Sequence, residues 1–275
     1  MKYWIDYEGH EYNIIGKRNK YQDTIYTFDI ETTSYIIYKG QVLNALEYDK
    51  LNENQKQECM TQATMYIWML GINDEVYYGR TWDDLRLFFE RIIWYTDDNK
   101  KYIFVHNLSH EFQYLRNEFE FDNVFSRKSR KVMKATLLDY NIEFRCTLYM
   151  TNCKLEKLPS IYNLPVQKLT GNLDYNKLRH SNTELTEKEL AYCENDCLVV
   201  YEYIKLELKR YKTLKNLPMT STGHVRKELV ELLRKDYEYR NKVRKGINIE
   251  GHIYNLLVER ICTDGYTHAN WLYTR

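Results

Sequence analysis

The segment from Ile25 to Glu31, IYTFDIE, constrains the fold most, because β-branched and aromatic residues lead into two carboxylates two positions apart. That composition predicts a strand. Side chains i and i+2 leave a strand on one face, so Asp29 and Glu31 point together. The polar stretch from Gln41 to Gln62 is expected to be helical or irregular. TMYIWMLGI and EVYYG then read as two strands joined by a turn at Asn73 and Asp74, a hairpin that continues the sheet. Asp83 or Asp84 opens an amphipathic helix through Leu85, Phe88, Phe89 and Ile92, and KYIFVHN returns as a buried strand.

A further helix is expected to start near Leu108, which places Glu111 in its first turns just beyond a strand end, where sites form on open α/β sheets. KVMKATLLDYNIEFRCTL reads as a second hairpin with its turn near Asp139 to Asn141, and 155–175 is rich in loops. Thr186 with Glu189 three residues on forms a capping box, and Leu185 with Leu190 the matching hydrophobic staple, so a helix is predicted over 187–211. After Pro218 another helix runs from about Thr222 to Arg244.

With 275 residues, the chain is expected to hold a large domain over 1–215 and a smaller, mostly helical extension over 216–275. No run of eighteen apolar residues is present, and the first residues lack the apolar core of a signal peptide, so a cytoplasmic protein with no membrane partner is expected. Six cysteines, with no CxxC pair, read as reduced and mostly buried thiols. Cys193 and Cys197 share a helix face but have no further zinc ligands spaced around them.

The net charge of +1 hides an uneven distribution. Arg127, Lys128, Arg130, Lys131 and Lys134 crowd one short stretch, and 205–245 is basic again. Such runs suit a DNA backbone track beside an anionic site, although 205–215 taken alone reads as a solvated helix face.

Four carboxylates stand out by placement: Asp29 and Glu31 on one strand face, Glu111 at a helix start, and Asp196 on the capped helix. Tyr192 lies one turn before Asp196 and projects from the same face. A carboxylate at a strand end is more often solvated or capping than catalytic. As a group, however, hard oxygen ligands suit Mg²⁺ or Mn²⁺. Two such ions, about 3.5–4 Å apart, clamp the attacking and leaving oxygens of phosphodiester hydrolysis. His106 and His110 invite a rival zinc reading, but VHNL as a strand end puts them on different elements.

FDIETT, HNLSHE (106–111) and YCENDC (192–197) occur in the order of the three exonuclease motifs of the proofreading domains of family B DNA polymerases, and the chain resembles the protein-primed phage type in particular. The resemblance extends through LEKLP, LTGNLDY and GYTHANW. It implies an α/β, ribonuclease H-like fold, a mixed sheet flanked by helices, followed by a mostly helical C-terminal connector. It implies 3′-5′ exonuclease activity on DNA 3′ ends in replication, with Asp29, Glu31 and Asp196 holding two Mg²⁺ or Mn²⁺ ions and Glu111 completing the site partly through water. Tyr192 then orients the attacking water, since a phenol with a pKa near 10 is a poor base at neutral pH. Thr32, His106 and Asn107 fall where the family grips the single-stranded 3′ end, and Leu155 falls at another DNA contact.

Three departures accompany the likeness. Glu111 stands where the family usually has aspartate, and His110 where an aromatic residue stacks on DNA. The catalytic lysine expected just before a glycine is replaced by Thr170 ahead of Gly171, which leaves Lys168 as the candidate to neutralise phosphate charge. No palm motif appears. CTDGYTHANW resembles the link to a polymerising domain, with Cys262 and Asp264 departing from its pattern. The expectation is therefore a fragment or one subunit of a split polymerase from a phage or prophage in a bacterial host. Its partners would be single-stranded DNA 3′ ends and primer-template DNA, with a palm chain or a terminal protein beside them. A catalytically idle DNA-binding or partner-docking module is the alternative.

Overall fold

A computed structural model describes residues 1–9, 23–43, 45–96, 100–169 and 177–235. Thr170, Gly171, most of LTGNLDY, the stretch CTDGYTHANW and the end of the helix expected to reach Arg244 lie outside these residues. The chain opens with β1 (Lys2–Tyr3), β2 (Tyr26–Tyr38) and β3 (Gln41–Leu43), followed by the short helices α1 (Ala45–Asp49) and α2 (Glu53–Gln57). The hairpin β4 (Met60–Ile72) and β5 (Glu75–Gly79) leads into α3 (Trp82–Thr96), β6 (Lys101–Val105) and α4 (Glu111–Glu118). Three strands follow, β7 (Phe121–Ser126), β8 (Val132–Leu137) and β9 (Ile142–Cys146). The described chain then continues through α5 (Thr147–Thr151), α6 (Leu158–Tyr162), α7 (Glu187–Tyr211) and α8 (Ser221–Lys235).

These strands form one mixed sheet in the order β1-β5-β4-β2-β6-β9-β8-β7, with β3 paired to β2. β2, β6 and β9 run parallel at the centre, and β4 and β8 flank them antiparallel. Strand alternation sorts the side chains cleanly. Tyr26, Phe28 and Ile30 join Trp68, Leu70, Ile103 and Val105 in one core, covered by Leu85, Phe88, Phe89 and Ile92 of α3 and Leu115 of α4. On the opposite face, Tyr102, Phe104, Ile67 and Met69 pack under α7 through Cys193, Cys197, Val199, Tyr203 and Ile204. Each such fully buried apolar side chain is worth roughly 1.5–3 kcal/mol. Thr27, Asp29 and Glu31 share this second face by register, so the sequence that fills the first core also turns two carboxylates toward α7.

A close approach seats α7. A Cβ at Gly71 would collide with the Thr27 hydroxyl and touch Cys197, so only a small triad of residues lets the helix lie against β2 and β4. The helix itself follows the predicted bounds, and its capping box is complete: Thr186 Oγ1 accepts from the Glu189 amide, and Glu189 Oε2 accepts from the Thr186 amide at 2.8 Å.

Several elements differ from expectation. β2 runs on to Tyr38 because β3 and the start of β4 extend its ladder through residues whose polarity reads as irregular. α3 is capped by Thr81, whose hydroxyl accepts the Asp84 amide while Asp84 accepts the Thr81 amide in return. α4 begins at Glu111 and not at Leu108, since 107–110 form a turn in which Asn107 takes the left-handed conformation (φ 66°). β7 is an additional strand; its side chains are mostly exposed, so it lacks the alternation that marks a half-buried strand.

Contacts group 1–223 and 224–275 into two compact units, the described part of the second being the remainder of α8. Among the described residues no helix is long and apolar enough to cross a membrane.

Candidate metal centre

Asp29 and Glu31 leave β2 beside its junction with a β-bulge: Glu31 pairs with Ile67 but Thr32 pairs with Met65, so Tyr66 is the extra residue. From α7, Asp196 reaches the same place, and carboxylate oxygens of Asp29, Glu31 and Asp196 all lie within 4.8 Å of one another. Burial first, then Glu111, Glu31 and Asp196, push Asp29 well above the usual aspartate range. Burial and Asp196 push Glu31 up to about 7. Asp196 is raised by its own burial, against the pull of Lys168.

Glu111 stands apart from the triad but near enough to Asp29 for its charge to raise that carboxyl further. Burial pushes Glu111 up to about 8, and Glu31 adds to the effect. Its Oε2 is buried with no hydrogen-bond partner. Acids with raised pKa values and an orphaned oxygen are costly in a protein interior unless a cation joins them. The donor set is all oxygen, which suits Mg²⁺ or Mn²⁺, so the residues fit such ions.

Lys168 meets the cluster directly. Its Nζ lies 2.5 and 2.6 Å from the two Asp196 oxygens and 5.0 Å from the centre of the Tyr192 ring. Neighbouring Asn195 accounts for this reach: its Oδ1 accepts the Leu169 amide at 2.7 Å and its Nδ2 donates to the Gln167 carbonyl at 3.0 Å. Lys168, Tyr192 and Asp196 thus come together, as do Asp29, Glu31 and Glu111.

The residues expected to contact DNA take the following places. Thr32 follows Glu31 at the bulge. His106 Nδ1 lies 3.0 Å from Thr147 Oγ1, and burial with the charge of Lys168 holds the ring down at about 4, hence neutral at pH 7. Asn107 makes the turn before α4, and His110 sits edge-on to Tyr114 with 5.4 Å between ring centres. Leu155 lies in a single 3-10 turn (Leu155–Lys157), partly packed against the core under α7. Cys193 and Cys197 are buried on the sheet face of α7, where burial raises both thiols above their ordinary value.

Sequence reasoning missed Asn195 and Arg179. The Arg179 side chain is buried, donates to Glu189 Oε1 at 2.6 and 3.1 Å, and lowers the pKa of Glu31 by its charge. Its backbone amide donates to Thr33 Oγ1 and its carbonyl accepts from the Tyr35 hydroxyl. Arg80 fastens the same segment through the His180 and Thr183 carbonyls. The one signal in the sequence is Glu189, which the capping box already employs; its second partner, Arg179, lies ten residues before it in the loop ahead of α7.

The sheet order and the helices on its two faces define a ribonuclease H-like α/β fold. No protein-family profile matches the sequence, and no curated protein does. Among solved structures the chain is similar to Phi29 DNA polymerase complexed with primer-template DNA in a post-translocation binary complex. That match has a TM-score of 0.54 and 16% identity, covering 80% of this chain and 36% of that one. Phi29 DNA polymerase complexed with single-stranded DNA gives a TM-score of 0.47 and 17% identity over 68% of this chain and 32% of that one. The chain therefore spans about a third of the polymerase it matches, and the first of these likenesses establishes a shared fold.

Proposed function

We propose that the chain is the 3′-5′ exonuclease portion of a family B DNA polymerase and hydrolyses DNA 3′ ends with the aid of two Mg²⁺ or Mn²⁺ ions. The observation that carries this reading is the convergence of Asp29, Glu31 and Asp196 within 4.8 Å, with the buried Glu111 near enough to raise Asp29 by its charge. The fold shared with part of a DNA polymerase supports it. In this reading, 1–215 form the exonuclease domain and 216–275 the connector and start of the polymerising domain.

Asp29, Glu31 and Asp196 hold the ions, and Glu111 completes the set. Bound there, the ions supply positive charge to the attacking and leaving oxygens of an in-line phosphoryl displacement. Lys168 adds a fixed positive charge at Asp196, where phosphate charge accumulates. Tyr192, beside Lys168, orients the attacking water. Thr32, His106 and Asn107 position the terminal nucleotide, and neutral His106 does so as a hydrogen-bonding ring without adding charge.

Asp29→Ala and Asp196→Ala, assayed on a 3′-labelled oligonucleotide in Mg²⁺ and in Mn²⁺, should each abolish release of nucleoside monophosphates. Full activity in either variant overturns the assignment.

One observation favours a second reading, an idle DNA-binding module: the Lys168 ammonium already neutralises Asp196 from within the protein. Calorimetry separates the two. The nuclease binds Mn²⁺ and cleaves, whereas the idle module binds DNA without either.

A further inference from the structure

The bulge beside Glu31 lies where β4 has little support. β5 pairs with β4 only as far as Trp68 opposite Gly79, so no described strand covers Tyr66 on that side, and toward β2 Tyr66 is the extra residue of the bulge. A buried main-chain carbonyl needs a donor. Tyr66 is 2% exposed, and its carbonyl accepts from Arg80 Nε at 2.7 Å. Arg80 directly follows Gly79, the last residue of β5, so its side chain takes over along the edge of β4 where the strand stops.

The rest of the Arg80 side chain binds the segment ahead of α7: Nη2 donates to the His180 carbonyl at 3.0 Å and to the Thr183 carbonyl at 2.8 Å. All three acceptors are main-chain carbonyls, which suits a planar guanidinium whose donors are fixed as a fork. The same segment grips the other strand of the bulge. The Arg179 amide donates to Thr33 Oγ1 at 3.2 Å, one residue beyond Thr32, its carbonyl accepts from the Tyr35 hydroxyl at 2.6 Å, and its guanidinium lies 5.7 Å from the centre of the Tyr66 ring. Both strands are therefore tied to one segment, β4 through Arg80 and β2 through Arg179.

An arginine that bonds carbonyls is more often a plain structural staple. What singles out Arg80 is that one of its carbonyls belongs to the bulge residue itself, and the register shifts between Glu31 and Thr32. A bulge next to a site re-aims a side chain, and a bulge held on both strands keeps that aim. We propose that Arg80 is a positioning residue of the carboxylate centre: by holding the Tyr66 carbonyl it fixes the bulge, and through the bulge the direction in which Glu31 and Thr32 leave β2. The consequence for metal binding rests on the function proposed above; the hold on Glu31 does not.

The full chain carrying Arg80→Met, which keeps an unbranched stem and removes every donor, is compared with wild type and with Arg80→Lys, which keeps the charge. Arg91→Met is the control, since Arg91 also donates to a main-chain carbonyl, that of Ile5 at 2.8 Å, but from α3, which covers the other face of the sheet. In metal-free, isotope-labelled protein, Arg80→Met should displace the amide resonances of Glu31 and Thr32 as well as that of Tyr66, and Arg91→Met should leave all three in place. Changes confined to Tyr66 and its chain neighbours would overturn the proposal. Calorimetric titration with Mn²⁺ reads the consequence. Losing a residue that orients a metal ligand costs roughly 10–100-fold in affinity, so Kd should rise at least about tenfold in Arg80→Met and less in Arg80→Lys. In a Glu31→Ala background, Arg80→Met should weaken Mn²⁺ binding no further. A staple that serves stability alone would lower Tm and leave Kd unchanged, and that result also overturns the proposal. If the wild-type chain takes up no Mn²⁺, the metal reading fails by itself, and the amide resonances alone decide for or against Arg80.

Discussion

Asn195 holds Lys168 from both sides, accepting the Leu169 amide and donating to the Gln167 carbonyl, and so delivers the Lys168 ammonium to Asp196, the residue next along α7. The lysine comes from a loop, yet its reach is set by a helix residue one position from the carboxylate it meets. Asn195→Ala removes both bonds and should lower the unfolding free energy by about 2 kcal/mol, near 1 for each bond. It should also slow 3′-end hydrolysis by the route that Lys168→Ala does. In a double-mutant cycle the combined variant should be little slower than Lys168→Ala alone. Additive losses would mean that Asn195 acts independently of the lysine.

The raised carboxyls should make stability depend on pH and, if the proposed ions bind, on divalent ions. Glu31 at about 7 and Glu111 at about 8 hold protons in the folded chain that the unfolded chain releases near the ordinary value of 4.5. Between those values the folded state binds more protons, so stability falls as pH rises from about 4.5 to 8. A divalent ion that takes their place cancels that loss. Metal-free protein should therefore melt progressively lower from pH 5 to pH 8, and Mn²⁺ should raise Tm more at pH 8 than at pH 5.5. Calorimetry in buffers of different ionisation enthalpy should register proton release on binding. A Tm that rises with pH in EDTA would contradict the assigned charge states.

Much of this centre is legible in the sequence because it rests on local rules. The alternation in IYTFDIE sets Asp29 and Glu31 on the face opposite Phe28 and Ile30, and the Thr186–Glu189 box sets the phase of α7 and with it Tyr192 and Asp196. What stays hidden depends on residues far apart in the chain. Arg179 meets Thr33, 146 residues away in the chain, only in the folded state, and Asn195 reads as an ordinary polar helix residue until 167–169 fold against it. β7 has too few buried side chains to leave a pattern, so its register with β8 comes from the backbone ladder alone.

Glu189 serves the helix cap and Arg179 at once, and that double use shows in its acidity. Its burial opposes ionisation, but the Thr186 amide and hydroxyl together with Arg179 outweigh it and hold the carboxyl at about 2. A depressed carboxyl contributes stability above its unfolded value near 4.5 and loses it as pH falls toward 2. Glu189→Gln should thus lower the urea midpoint at pH 7, and the gap to wild type should narrow steadily between pH 4.5 and 3. A gap that stays constant over that range would place the contribution in packing and not in charge.

Glu111 is the member of the centre whose length matters. Its carboxyl reaches Asp29 from the first turn of α4, a helix whose position is fixed by Leu115 in the core and by the Asn107 turn before it. Glu111→Asp withdraws the carboxyl by one methylene while the helix stays in place, so the carboxyl moves away from Asp29 and the cluster loses its alignment. Misplacement on the order of 1 Å can cost about 10²-fold in rate. The kcat of Glu111→Asp on a 3′-labelled oligonucleotide should fall by about that factor, with Glu111→Ala at least as slow. If Glu111→Asp matched or exceeded wild type, the carboxylate would be reaching the site by a path other than Asp29.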